Sequence, residues 1–239
     1  MPVTLIFGGA GGVGAALCRQ LAPHHTLHLA GRTQATLDAI SAEVGGHVHV
    51  CDATRLDQVD QTFDAVIAAS GQLDSVVCAV GSVLLKPAHR TSEQDWLDTL
   101  HTNLTSAFAV VRAAGRTMTR GGSVVLISSA AAQIGLSNHE AIAAAKAGVE
   151  GLARSAAATY AARRLRFNVV SPGLVRTPLT RAITEREASL KYSLAMHAIE
   201  RVGEPEDIAR MIALLVDPAN DWITGQVFGV DGGLSTVKR

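Results

Sequence analysis

The sequence predicts one doubly wound α/β domain with a parallel seven-stranded sheet, spanning all 239 residues. Three observations predict it. Short β-rich runs alternate with helix-length segments from end to end, a glycine-rich turn directly follows the first run, and hydrophobic residues make up 48% against 18% charged. Strand–helix alternation forces right-handed crossovers, which cover a parallel sheet with helices on both faces and bury its strands on both sides. A chain of this length buries a full core, and no repeat, low-complexity tract or Pro/Ser-rich linker divides it, so 1–239 is read as one domain.

Taken in order, the strand candidates are 3–7, 26–30, 47–51, 73–79, 123–128, 166–170 and 226–230. Between them apolar residues recur at three and four, as at Val13, Leu17 and Leu21, the spacing of a helix with one buried face. One segment breaks the rhythm. Residues 177–200 follow the last internal strand, are helical in pattern and carry many charges. That position suits a flap over a ligand, and equally an ordinary pair of surface helices.

Composition excludes several classes. The 21 basic and 21 acidic residues cancel, so no long-range field draws the chain to nucleic acid or an anionic membrane, and aromatic residues at 4% are too few for base-stacking platforms. No apolar run reaches the roughly 18–20 residues needed to span a bilayer. The N-terminus enters a strand-like run at Val3, with no room for a secretion signal. Cys18, Cys51 and Cys78 are odd in number, scattered and without metal-ligand spacing. They read as buried thiols, with the cytoplasm as the expected compartment and no metal.

The chemistry begins at Gly8-Gly9-Ala10-Gly11-Gly12-Val13-Gly14, between the first strand and the first helix. A phosphate needs bare main-chain N–H groups and a positive helix end, and side chains on Gly8, Gly12 or Gly14 would obstruct its approach. The pattern therefore reads as a dinucleotide cradle. Sites that prefer NAD usually carry an acid at the end of the second strand, yet none lies between Gly14 and Asp38. Arg32 stands there instead, where a guanidinium can pair with a 2′-phosphate, so NADP is expected and NAD is the less favoured cofactor. A solvated surface arginine is the plainer reading. Asp52, closing the third strand, could reach an adenine amino group or cap the helix that follows.

With these residues in hand, the chain resembles the short-chain dehydrogenase/reductase family over almost its whole length, which implies a Rossmann-type domain and an oxidoreductase. The glycine turn is similar to the family's TGxxxGxG signature, with Phe7 in place of the threonine. Asn103 resembles its active-site asparagine, Ser129 its catalytic serine and Lys146 the lysine of its YxxxK motif. Pro172, Gly173 and Thr177 resemble the loop that meets the nicotinamide carboxamide. Arg201-Val202-Gly203-Glu204-Pro205 and Val230-Asp231-Gly232-Gly233 also fit. The resemblance implies a small-molecule substrate and a homodimer or homotetramer, paired through helices near 92–118 and 138–162 and the last strand.

Two departures stand out. The family's NNAG turn is here Cys78-Ala79-Val80-Gly81, keeping only Gly81, which removes amides that tie neighbouring loops together. Four residues before Lys146, where the family carries its catalytic tyrosine, stands Ile142, which cannot donate a proton. Losing a positioned acid costs about 10²–10⁴ in rate. Ser137-Asn138-His139-Glu140 fits a capping box opening the Lys146 helix, and on that reading His139, Ile142 and Lys146 share one stripe. His139 is the candidate replacement donor, because an imidazolium near pKa 6.5 protonates an alkoxide readily. Tyr192 in the flap is a weaker one. An iminium or activated alkene would ask less of any donor. The leading expectation is an NADP-dependent oxidoreductase acting on a small carbonyl, imine or activated alkene; a non-catalytic dinucleotide-binding sensor or partner is the other.

Overall fold

The computed structural model describes residues 1–238. All seven predicted strands form: β1 Val3–Phe7, β2 Thr26–Gly31, β3 His47–Val50, β4 Ser75–Cys78, β5 Gly122–Ile127, β6 Leu165–Pro172 and β7 Val227–Val230. They pair in parallel in the order β3-β2-β1-β4-β5-β6-β7. The β4 ladder is shorter than the apolar run that predicted it, because Asp74 turns its carboxylate onto the N–H of Val3 at 2.7 Å and closes the strand's lower end.

Period-two alternation divides the sheet's side chains between two layers. Leu5, Phe7, Val76, Val124, Leu126, Phe167 and Val169 pack beneath helices α3 (Leu56–Ser70), α5 (Ser106–Thr117) and α6 (Glu140–Tyr160). Ile6, Val77, Val125 and Val170 face α1 (Gly12–Leu21), α2 (Gln34–Val44) and α9 (Pro205–Val216). The chain reverses its winding between β1 and β4, and in open parallel sheets such a switch point leaves a crevice at the strands' C-terminal ends. Gly8, Arg32, Asp52, Gly81, Ser129 and Pro172 all lie at that edge.

The remaining helices are α4 (Glu93–Leu100), α7 (Arg181–Thr184) and α8 (Glu187–Met196). Ser92 caps α4 with a reciprocal bond pair to Asp95. Residues 177–200 form a short 3₁₀ turn followed by α7 and α8, as the pattern predicted. No helix among the described residues is long and apolar enough to cross a membrane. All three cysteines are buried, and burial pushes the Cys18 thiol up to about 12, so it is unreactive at neutral pH.

A polar cluster sits inside the β2–β3 edge. His28 is fully buried, lies 2.9 Å from both His49 Nε2 and Ser70 Oγ, and stacks on His47 and His49. Burial, helped by the two neighbouring imidazoles, pushes His28 down to about 4. An unfolded histidine titrates near 6.5, so below that pH the unfolded chain takes up a proton that the folded one refuses. The stabilisation is complete above about pH 6.5 and is lost as pH falls from there towards 4. Urea unfolding should show that the drop in stability from pH 7.5 to pH 5 is about 2 kcal/mol larger for the native protein than for His28→Gln. Equal drops would contradict this role for His28.

Candidate active site

The glycine turn takes its shape from main-chain crowding. Gly8 has φ +80°, and a Cβ on it would fall 2.9 Å from the carbonyl oxygen of Ala79 at the end of β4. A Cβ on Gly14 would lie 2.1 Å from the oxygen of Gly8. Gly11 is the N-cap of α1 and brings no side chain, so the first N–H groups of that helix face the crevice without a side-chain cap. This is the donor set a diphosphate requires. A Cβ on Gly12 would meet the Thr177 methyl at 2.7 Å. The loop after β6 therefore rests directly on the turn.

At the far ends of β2 and β3, Arg32 and Asp52 come together. Arg32 is exposed and has no ion-pair or hydrogen-bond partner among the described residues. Burial works to raise the Asp52 carboxyl, but the Thr54 N–H and hydroxyl, aided by the charges of Arg32 and Arg55, hold it below the usual range. The capping expectation for Asp52 is corrected. Arg55 is the N-cap of α3, and Asp52 Oδ1 accepts instead from Thr54 N at 3.0 Å and Thr54 Oγ1 at 2.8 Å, shaping the turn before the helix.

The core of the site is built where β4, β5 and α6 meet. Lys146 is 6% exposed and its Nζ donates to the Ile127 carbonyl at 2.9 Å. Burial pushes its ammonium down to about 8, with the Cys78 sulfur pulling weakly the other way. Gly81 forms the floor beside it: a Cβ there would stand 3.1 Å from Asn103 Oδ1 and 3.5 Å from Lys146 Nζ. Asn103 lies in a single π-helical turn, His101–Thr105, that joins α4 to α5. Such turns insert one residue and re-aim a side chain, often at a functional site. Here the turn buries Asn103, whose Oδ1 accepts from Ser82 N at 3.1 Å while Nδ2 donates to Ser82 Oγ and Thr99 O. Those bonds tie down the β4 loop, so the departure from NNAG leaves it fastened after all. Ser82 was not foreseen, because a lone serine after a glycine carries no spacing signal.

Ser129 leaves β5 and accepts the Ala131 N–H at 3.2 Å, while its own hydroxyl donates to nothing among the described residues. Its neighbour Ser128 donates towards the buried Glu150 at 2.8 Å and lies 3.2 Å from the Lys146 carbonyl. The serine strand is thus fastened to the turn of α6 that carries Lys146.

The expected capping box is also corrected. Helix α6 starts at Glu140 with His139 as N-cap and no side-chain cap bond, because Asn138 adopts φ +65° and breaks the helical path after Ser137. Ile142 and Lys146 do share one face, both nearly buried, but His139 precedes the helix. Its Nδ1 lies 2.8 Å from the Ser137 carbonyl, an acceptor, so Nδ1 carries the proton. Tyr192 is 66% exposed on α8 and stands largely in solvent. Among the described residues no group of three or more His, Cys, Asp or Glu is arranged to hold a metal.

A doubly wound sheet with a glycine-rich turn at its switch point, and a buried lysine bonded to the end of the strand that leads to Ser129, has the architecture of a dinucleotide-dependent oxidoreductase. The chain belongs to the short-chain dehydrogenase/reductase family. Residues 8–235 match the family model described as Enoyl-(Acyl carrier protein) reductase. The chain is 32% identical to carbonyl reductase family member 4 of Danio rerio, over 97% of each chain. It is likewise 32% identical to the 3-oxoacyl-[acyl-carrier-protein] reductase FabG of Thermotoga maritima, over 97% of each. A short-chain type dehydrogenase/reductase from Mycobacterium ulcerans superposes with a TM-score of 0.93 at 32% identity, covering 98% of this chain and 90% of that one.

Proposed function

We propose that the protein moves hydride between NADP(H) and a small carbonyl, imine or activated alkene, with His139 in place of the family's tyrosine. The observation that carries this reading is the packing of Gly81 against both Asn103 Oδ1 and Lys146 Nζ, with Lys146 bonded to the Ile127 carbonyl two residues before Ser129, whose hydroxyl donates to nothing among the described residues. A protein that only bound a dinucleotide would need the glycine turn and Arg32, and would have no use for Ser129. When bound, the nicotinamide ring supplies or accepts the hydride.

The chain's residues divide the remaining work. Main-chain N–H groups at the start of α1 hold the diphosphate, and Arg32 answers a 2′-phosphate better than a 2′-hydroxyl. Lys146 has the burial and the reach from β5 to clamp the ribose. Ser129 donates to the substrate oxygen and polarises the carbonyl. Where hydride reaches the carbon, the C=O pair would move onto oxygen, and the doubly protonated His139 imidazolium would give that oxygen its Nε2 proton, relax to the neutral Nδ1–H form and be recharged from solvent. The Nδ1–H···O=C bond to Ser137 fixes the tautomer and leaves Nε2 for that exchange. Ile142, 5% exposed, lines the apolar wall that the tyrosine would occupy. We place the protein in the cytoplasm, and read it as a homodimer or homotetramer, the association being supported by Phe108 on α5 and Trp222 before β7, which stand 46% and 96% exposed.

NADPH oxidation over a panel of ketones, cyclic imines and enones, run beside His139→Ala, tests the assignment. Turnover on ketones should fall by about 10²-fold or more with NADPH affinity unchanged. Unchanged turnover removes His139 as donor. Loss confined to ketones while imines still react would fit a substrate that brings its own proton. The burial of an isoleucine at the donor position favours one other reading, a non-catalytic dinucleotide sensor, which predicts NADPH uptake with no substrate consumed.

A further inference from the structure

We infer that His197 is a positioning residue that sets the 172–177 loop across the dinucleotide crevice, an inference that rests on the proposed function. His197 is 2% exposed and follows directly on α8, at the C-terminal end of the flap. Its two ring nitrogens have separate partners. Nδ1 lies 2.6 Å from the Ser193 carbonyl, one turn back, so that nitrogen bears the proton. Nε2 is then left as the acceptor for the Leu174 N–H at 3.2 Å. The ring also packs against the exit of β7, where a Cβ on Gly232 would come 3.4 Å from Cδ2.

The Leu174 bond fixes one side of the loop. Its other side pairs with the chain just beyond the flap, through Gly203 N to Leu174 O at 2.9 Å and Arg176 N to Gly203 O at 2.8 Å. Gly173 is squeezed between them: a Cβ there would lie 2.8 Å from His197 Nε2 and 3.0 Å from the Asp231 main chain. At its far end the loop sets the Thr177 methyl on Gly12 of the phosphate turn. It therefore runs from the mouth of β6 to the mouth of β1, over the crevice at the sheet's edge. Residues 197 and 203, at the two ends of one chain segment, together hold Leu174. Removing the acceptor on His197 frees the side nearest Pro172 and Gly173, while the diphosphate cradle and Arg32 stay as they are.

The loss should accordingly fall on the nicotinamide half of the ligand alone. Titrations of the full-length protein with NADPH and with adenosine 2′,5′-bisphosphate, which lacks that half, separate the two. His197→Ala should weaken NADPH about tenfold and leave the bisphosphate within twofold. His197→Gln, whose amide oxygen can take the place of Nε2 as acceptor for the Leu174 N–H, should restore NADPH to within about twofold. If alanine does not fold, His197→Leu, which keeps volume and removes the acceptor, is read in its place. Equal weakening of both probes, no weakening of NADPH, or glutamine behaving as alanine would each overturn the inference. Failure of the native protein to take up either probe would instead bring down the functional reading on which it rests.

Discussion

In a His139→Ala background, replacing Ile142 by tyrosine should raise turnover on simple ketones by about 10²- to 10⁴-fold, the contribution of a positioned general acid. Residue 142 stands one helical turn before Lys146 on the same face of α6, so the phenol would enter beside an ammonium that burial has already pushed down to about 8. That charge favours the phenolate and makes the phenol a readier donor. The added ring must fit where Ile142 is 5% exposed, and overpacking costs about 1–3 kcal/mol, so a lower melting temperature accompanies the gain. The gain should be smaller in the native protein, where His139 already supplies the proton. A folded Ile142→Tyr variant that binds NADPH and shows no gain on any ketone would mean that Ser129 and Lys146 are not placed for carbonyl reduction.

The second large effect belongs to the glycine turn. Gly14→Ala should lower dinucleotide affinity by at least about 100-fold. Its new Cβ would stand 2.1 Å from the Gly8 carbonyl oxygen and 3.0 Å from Gly9 Cα, all main chain, so no rotamer change relieves it. The turn must open, and its N–H groups then diverge from the phosphate position. Gly12→Ala is the instructive comparison. Its nearest neighbours are side-chain atoms of Thr177 at 2.7 and 2.9 Å, so the loop above can shift while the cradle keeps its shape, and the loss should be smaller. If the two variants bind equally well, the cradle is not where the ligand sits.

These effects rest on features that differ in how far the sequence announces them. The central strands β1, β2, β4, β5 and β6 are legible because each is a largely apolar run buried on both faces, whereas β3 and β7 are partly exposed and are marked by their place in the alternation. As candidates, the glycine turn and Arg32 are legible from phosphate chemistry and their place after the first and second strands, whereas Asn103, Ser129 and Lys146 are nominated only by the family resemblance. The start of α6 was not. Ser137 and Glu140 have the right types and offset for a capping box, yet a single left-handed residue, Asn138, decides the path between them. The π-helical turn at Asn103 leaves no mark either, since one inserted residue does not disturb an apolar pattern that continues on both sides. His197 was invisible for another reason. Its partners are main-chain groups, including one 23 residues away, and main-chain partners have no sequence signature.

The shared foundation is that main-chain amides at the opening of α1 hold a diphosphate while Arg32 meets a third phosphate. Isothermal titration of the folded protein with NADPH and NADH, up to millimolar ligand, addresses it directly. Saturable NADPH uptake with NADH clearly weaker is the predicted result. Well-folded protein that takes up neither would contradict the account at its base.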